Sequence, residues 1–87
     1  MVVNMLRGDW SKPVTYEEDK RGGYRTIRDT EQAARALLLK WPVDDGDAFY
    51  EAQRVCLGVM EGKRPADDAR EAFLRAAAEA GVFVRDQ

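Results

Sequence analysis

The stretch Arg64-Pro-Ala-Asp-Asp-Ala-Arg-Glu-Ala-Phe-Leu-Arg-Ala-Ala-Ala-Glu-Ala-Gly81 is a helix with both ends written into it. Pro65 stands where a helix begins, at the first helical position, because its fixed φ suits the first turn and the N–H it lacks had no intrahelical partner there. Asp67 and Asp68 place negative charge beside the positive end of the macrodipole, and Gly81 supplies the left-handed residue that closes the last turn. Between these ends Ala69, Phe73, Ala76, Ala77 and Ala80 recur at the i, i+3, i+4 spacing of one helical face. Four alanines around one phenylalanine make a nearly flat surface, on which another element packs closely. Glu79 reads as a solvent-facing position beside it.

Working toward the N-terminus, Ala48, Ala52, Val55, Cys56 and Val59 form a second stripe, with Phe49 and Met60 at its margin and Gly62 as its end. Gly58 within it costs about 0.5–1 kcal/mol relative to alanine, which suggests a close crossing. Val43-Asp-Asp-Gly46 is a short turn whose aspartates suit the N-cap of this helix. A third helix precedes it: Asp29 and Gln32 have capping-box spacing, Ala34, Leu37, Leu38 and Trp41 share a face, and Pro42 stops the helix. From Pro13 to Arg28, β-branched and aromatic residues flank the polar turn Glu17-Glu-Asp-Lys-Arg-Gly-Gly23, a hairpin pattern. Val82-Phe-Val84 reads as a short strand that stands only by joining the hairpin.

The order β-β-α-α-α-β specifies an α+β fold: a small, mostly antiparallel three-stranded sheet with three helices packed on one face. The 87 residues make a single domain, 1–87, with residues 1–9 as a loosely ordered extension. Trp10 then lies before the first strand, exposed and placed to anchor a partner, whereas Trp41 ends a core stripe and is buried.

The residues Trp10, Pro13-Val14, Trp41-Pro42, Ala52 with Cys56, Ala69-Arg-Glu-Ala-Phe73 and Ala76-Ala-Ala-Glu-Ala-Gly81, in this order and spacing, resemble the small bacterial family known as domain of unknown function 982. The resemblance covers roughly residues 10–84. It implies a compact α+β domain and carries no activity and no functional residue with it.

Composition narrows the chemistry. The net charge is −2, from 14 basic and 16 acidic residues. Both signs are interspersed along the chain, so the basic footprint of a nucleic-acid-binding domain is missing. No histidine is present, which removes the commonest general base and metal ligand and rules out a Cys-His or Ser-His pair within the chain. The single cysteine, Cys56, makes no internal disulfide and lies on an apolar stripe, where a thiol behaves as a small hydrophobe. Met1-Val-Val-Asn-Met-Leu6 is too short and too interrupted for a signal peptide, and no apolar run approaches a membrane span. A cytoplasmic protein is expected. The pairs Glu17-Glu18, Asp44-Asp45 and Asp67-Asp68 are neighbours whose side chains point apart, and capping accounts for the last two. No catalytic, cofactor-binding or metal-binding residue is therefore assigned.

Two clusters keep a functional alternative. Lys20-Arg21-Gly-Gly-Tyr24-Arg25-Thr-Ile-Arg28 has four cations, two glycines and a tyrosine on the hairpin, a composition that suits phosphate, although Glu17, Glu18 and Asp19 lie across the turn. Arg70 sits at the border of the alanine face and either ties the fold together or binds an anion. The reading with most support is a non-enzymatic protein-interaction or regulatory module, pairing with a protein or with itself through a sheet edge or uncovered face. The alternative is weak nucleic-acid or phosphate-ligand binding through the Lys20–Arg28 hairpin.

Overall fold

Alternation organises the first element. In the computed structural model, which describes residues 8–19 and 21–85, β1 spans Asp9–Glu17 and turns Trp10, Val14 and Tyr16 inward. It pairs antiparallel with β2, Tyr24–Asp29, in a register that sets Val14 against Ile27 and Tyr16 against Arg25, with an irregularity between Asp9 and Val14. The last strand, β3, is Val84–Arg85, so it starts at the end of the expected Val82–Val84 run; it adds to the other side of β1, antiparallel, giving the order β2-β1-β3. Between the hairpin and β3 come α1 (Thr30–Leu39), α2 (Asp47–Met60) and α3 (Ala66–Ala80). The fold is the expected α+β arrangement. Within the helical layer α1 lies on β2, α3 lies on β1, and α2 packs on both helices, most extensively on α3.

The face of the sheet turned from the helices carries Thr15 and Thr26, a directly opposed pair whose hydroxyls are 2.8 Å apart. On the helical side Phe73 is the hub. Its ring centroid lies 5.9 Å from that of Trp10, 5.6 Å from Tyr16 and 5.1 Å from Trp41, tilted in each case, so an aromatic from a strand start, a strand, a loop and a helix meet at one point.

This cluster corrects the reading of Trp10. The indole is 7 % exposed, not a free anchor, and its Nε1–H donates to Thr30 Oγ1 at 3.2 Å. Thr30 is fully buried, and both its hydroxyl (3.1 Å) and its backbone N–H (2.8 Å) donate to the Gly8 carbonyl. Gly8 and Asp9 are thus fastened to α1 and β1 rather than belonging to a loose extension; residues 1–7 lie outside the described residues. Trp41 is half-buried against the core, beyond the end of α1.

That boundary explains a second difference. Counting Trp41 as part of the helical stripe phases α1 on Ala34 and Leu38, whereas the buried positions are Thr30, Ala33, Ala36 and Leu37. A shift of one residue rotates the face by about 100°. Leu38 and Leu39 are left outside, 69 % and 75 % exposed. In α2 the phase is as expected for Ala52, Val55, Cys56 and Val59, but Phe49 is buried rather than marginal and Ala48 only half-buried. The alanine face of α3 packs into the core as expected, with Ala72 added and Ala80 half-buried.

Helix ends follow the sequence in part. Asp29 caps α1 by accepting the Gln32 N–H at 2.8 Å, while Gln32 Oε1 accepts the N–H of Arg28 at 2.7 Å, one residue before the standard capping-box donor. Gly81 at φ +72° ends α3 with Val82 N–H bonded to the Ala77 carbonyl at 2.9 Å. Pro65 is the N-cap of α3, one place before the expected first helical position. At α2 the N-cap is Gly46, and neither Asp44 nor Asp45 caps it. The Glu79 carboxylate takes that role from across the fold. Gly58 meets no helix: a Cβ there would come 3.0 Å from Cδ of Arg64, whose stem lies over it.

Candidate interaction surfaces

Several of the polar residues singled out in the sequence, Arg70, Asp67 and Asp19 among them, are engaged in holding the fold. Arg70 has a side chain only 12 % exposed; its Nε donates to the Lys12 carbonyl at 2.8 Å, and Nη1 lies 3.5 Å from Glu71. The guanidinium therefore ties α3 to β1, the structural one of its two alternatives. Asp67 does the same from the neighbouring turn by accepting the Ser11 N–H at 2.9 Å, and this bond holds its carboxyl below the usual carboxylate range. Asp68 faces a different partner, Arg64, at 3.2 Å. Burial pushes the Cys56 thiol up to about 11, the reverse of what a nucleophile needs. Among the described residues, no group of three or more acidic or cysteine side chains is placed to hold a metal ion.

The hairpin is likewise self-contained at its tip. Asp19 Oδ1 accepts the N–H groups of Arg21 (2.8 Å) and Gly23 (3.3 Å), and its carbonyl accepts that of Gly22 at 3.3 Å. An aspartate thus occupies the amides that a phosphate would need. Gly22 adopts φ +89°, which a glycine accommodates without strain, and a side chain at Gly23 would run into the Asp19 carboxylate. Arg25 and Arg28 do not share one patch. Arg25 pairs with Glu18 at 2.7 Å on the helical side of the sheet, and alternation puts Arg28 on the opposite side. Lys20 lies outside the described residues.

Two surfaces emerge that sequence reasoning did not identify. The first is aliphatic, between α1 and α2: a cleft of about 180 Å³ lined by Ala34, Leu38, Gln53, Cys56, Leu57 and Met60. Leu38 is 69 % exposed, Leu57 54 % and Met60 44 %. The run Leu37-Leu38-Leu39 contains the signal, because three successive helical positions span about 200° and cannot all face one core. The second is a groove of about 310 Å³ between β2 and α1, with Arg25, Thr26, Arg35, Ala36, Leu39 and Lys40 in its wall. Its cations come from separate elements, so no local sequence cluster announces it.

Among the described residues, no helix is long and apolar enough to cross a membrane. Comparison with curated proteins and with solved structures finds no match to this chain. Residues 12–84 match the family described as "Protein of unknown function (DUF982)", a span that holds every strand and helix from the middle of β1 to the start of β3. With that match and the α+β order the resemblance implied, the chain belongs to the DUF982 family.

Proposed function

We propose that this domain is a non-enzymatic protein-interaction module, and that the α1–α2 cleft is where it pairs with a second copy of itself. The observation that carries the reading is the convergence of Leu38, Leu57 and Met60 around one apolar cleft on the outside of a small domain. Scattered surface leucines need no explanation, but a contiguous group beside a concavity costs solubility unless something covers it. A symmetric dimer brings the same patch against itself, so its rim must not carry one sign of charge. Charges of both signs stand on α2 and just beyond its end: Glu51 pairs with Arg54, and Glu61 lies 3.4 Å from Lys63. Nucleic-acid or phosphate binding through Lys20–Arg28 has less support, since Asp19 takes the tip amides and Glu18 takes Arg25.

The test is sedimentation equilibrium over a range of about 10 μM to 1 mM, in which a pairing domain rises toward twice its monomer mass by mass action. Leu38→Glu with Leu57→Glu should hold the protein monomeric while leaving its circular dichroism unchanged. A native wild-type chain that stays monomeric throughout the range would remove the reading.

A further inference from the structure

We infer that the edge of β2 and the groove beside it form a second binding site, one that takes an extended acidic segment of another protein as an added strand. The inference concerns a different surface from the α1–α2 cleft and does not depend on self-association.

Among the described residues, β2 has a neighbour on one side only. The ladder phase says which of its backbone groups are free. Glu18 N–H donates to the Gly23 carbonyl at 2.7 Å, so in this antiparallel register the hydrogen-bonded pairs are Glu18 with Gly23, Tyr16 with Arg25 and Val14 with Ile27. Tyr24, Thr26 and Arg28 then point their N–H and C=O groups away from β1. Arg28 shows the direction, because its N–H is the one that Gln32 Oε1 receives at 2.7 Å. Among the described residues nothing bonds the outward groups of Tyr24 and Thr26. A row of this kind is a template for another strand.

The groove of about 310 Å³ between this edge and α1 supplies the selectivity. Alternate residues of an added strand would face the helical side, the side of Arg25 and Ile27, and so point into it. Its wall contains Arg25, Arg35 and Lys40 and no carboxylate. Arg25 is held by Glu18, Arg35 has only Glu31 at 3.8 Å with both side chains 72 % exposed, and Lys40 has no ion-pair partner among the described residues. In a protein of net charge −2, this groove is locally positive. Leu39, 75 % exposed, and Ala36 add an apolar strip along the same wall. The matching ligand alternates glutamate or aspartate with small apolar or hydroxyl residues. A second β2 would be a poor occupant, since the arginine it turned to the helical side, Arg25, would meet the same cations.

The probe is a blocked eight-residue peptide alternating glutamate with valine and threonine, added to the whole domain and followed by amide hydrogen exchange. Binding should slow exchange at Tyr24 and Thr26 by about tenfold or more, as a strand that pairs with them must. The Arg35→Glu, Lys40→Glu double variant should weaken binding about tenfold or more with an unchanged fold, and the matching lysine peptide should leave both amides unprotected. The site is overturned if the acidic peptide gives no protection at Tyr24 and Thr26. It is equally overturned if backbone N-methylation of the peptide leaves affinity unchanged, or if inorganic pyrophosphate binds the groove and displaces the peptide without protecting those amides, the behaviour of a simple anion site. Sedimentation of the peptide-free protein reports the cleft alone, so failure of one reading is visible separately from failure of the other.

Discussion

The carboxylate of Glu79 near the end of α3 accepts the backbone N–H of Phe49 at 3.1 Å, at the start of α2, thirty residues earlier in the chain. The same carboxylate accepts the Ala48 N–H at 3.0 Å. Two of the free donors at the α2 N-terminus are thereby satisfied by a charge that also suits the positive end of its dipole. Gly46 belongs to this arrangement: it turns the chain at φ +113°, and a Cβ there would collide with the Glu79 carboxylate.

Glu79→Ala should therefore destabilise the domain by about 1–2 kcal/mol, as loss of an N-cap does, although the residue looks like a bland surface position in sequence. Glu79→Gln keeps an acceptor and loses the charge, and should fall between. Gly46→Ala should cost more than Glu79→Ala, combining strain at positive φ with the collision, and the double variant should be less destabilised than the sum because the colliding group is gone. Urea unfolding of the four proteins measures all of this. A neutral Glu79→Ala removes the long-range cap.

The two buried strand aromatics behave oppositely in their polar atoms. Trp10 has a partner for its N–H, whereas the Tyr16 hydroxyl is buried with no hydrogen-bond partner among the described residues. Trp10→Phe should cost about 2–4 kcal/mol, from lost volume and from a break in the link to Thr30. Tyr16→Phe, which deletes only an unpaired hydroxyl, should change stability by less than about 1 kcal/mol in either direction. Equal losses at the two sites would mean that the Tyr16 hydroxyl is bonded after all.

The elements, their order and the α3 face were legible because each rests on local rules: alternation at Val14 and Tyr16, a cap at Asp29, a left-handed stop at Gly81. What was not legible depends on residues far apart in sequence. Trp10 looked exposed because the group that buries it, Phe73, and the group that bonds it, Thr30, lie 63 and 20 positions away. Glu79 looked free for the same reason. Of the surfaces, the hairpin cations were visible as a run, but alternation splits Arg25 from Arg28 and the turn spends its amides on Asp19. The basic groove combines β2 with α1 and its C-cap residue, and only folding brings Arg25 to Lys40.

The alanine face of α3 supplies a packing test. Ala76 is fully buried, whereas Ala78, two positions on, is exposed. Ala76→Leu should overpack the α3 contact and cost about 1–3 kcal/mol, and Ala78→Leu should stay within about 0.5 kcal/mol of wild type. Matching small effects at both sites, read from thermal or urea midpoints, would mean that the helical layer tolerates displacement of α3 as a unit.

The last expectation is a pH dependence set by Cys56. Burial lifts the thiol from 9.0 to about 11 in the folded protein, so the native state holds this proton more tightly than the unfolded chain does. Below about pH 9 both states keep the proton and the contribution of the buried neutral thiol is present in full. Between pH 9 and about 11 the unfolded chain ionises first, and stability falls with rising pH by roughly 2–3 kcal/mol before levelling off. Burial also raises the Tyr16 phenol above 10.0, which steepens the fall in the upper part of that window. Cys56→Ala should begin at neutral pH about 1 kcal/mol or more below wild type, for lost packing, yet lose less stability between pH 9 and 11, so the two curves converge. Urea midpoints from pH 7 to 11 give both curves. Parallel curves would show that Cys56 ionises as easily in the folded state as in the unfolded one, and with that the placement of its thiol in the α2 core stripe would fall.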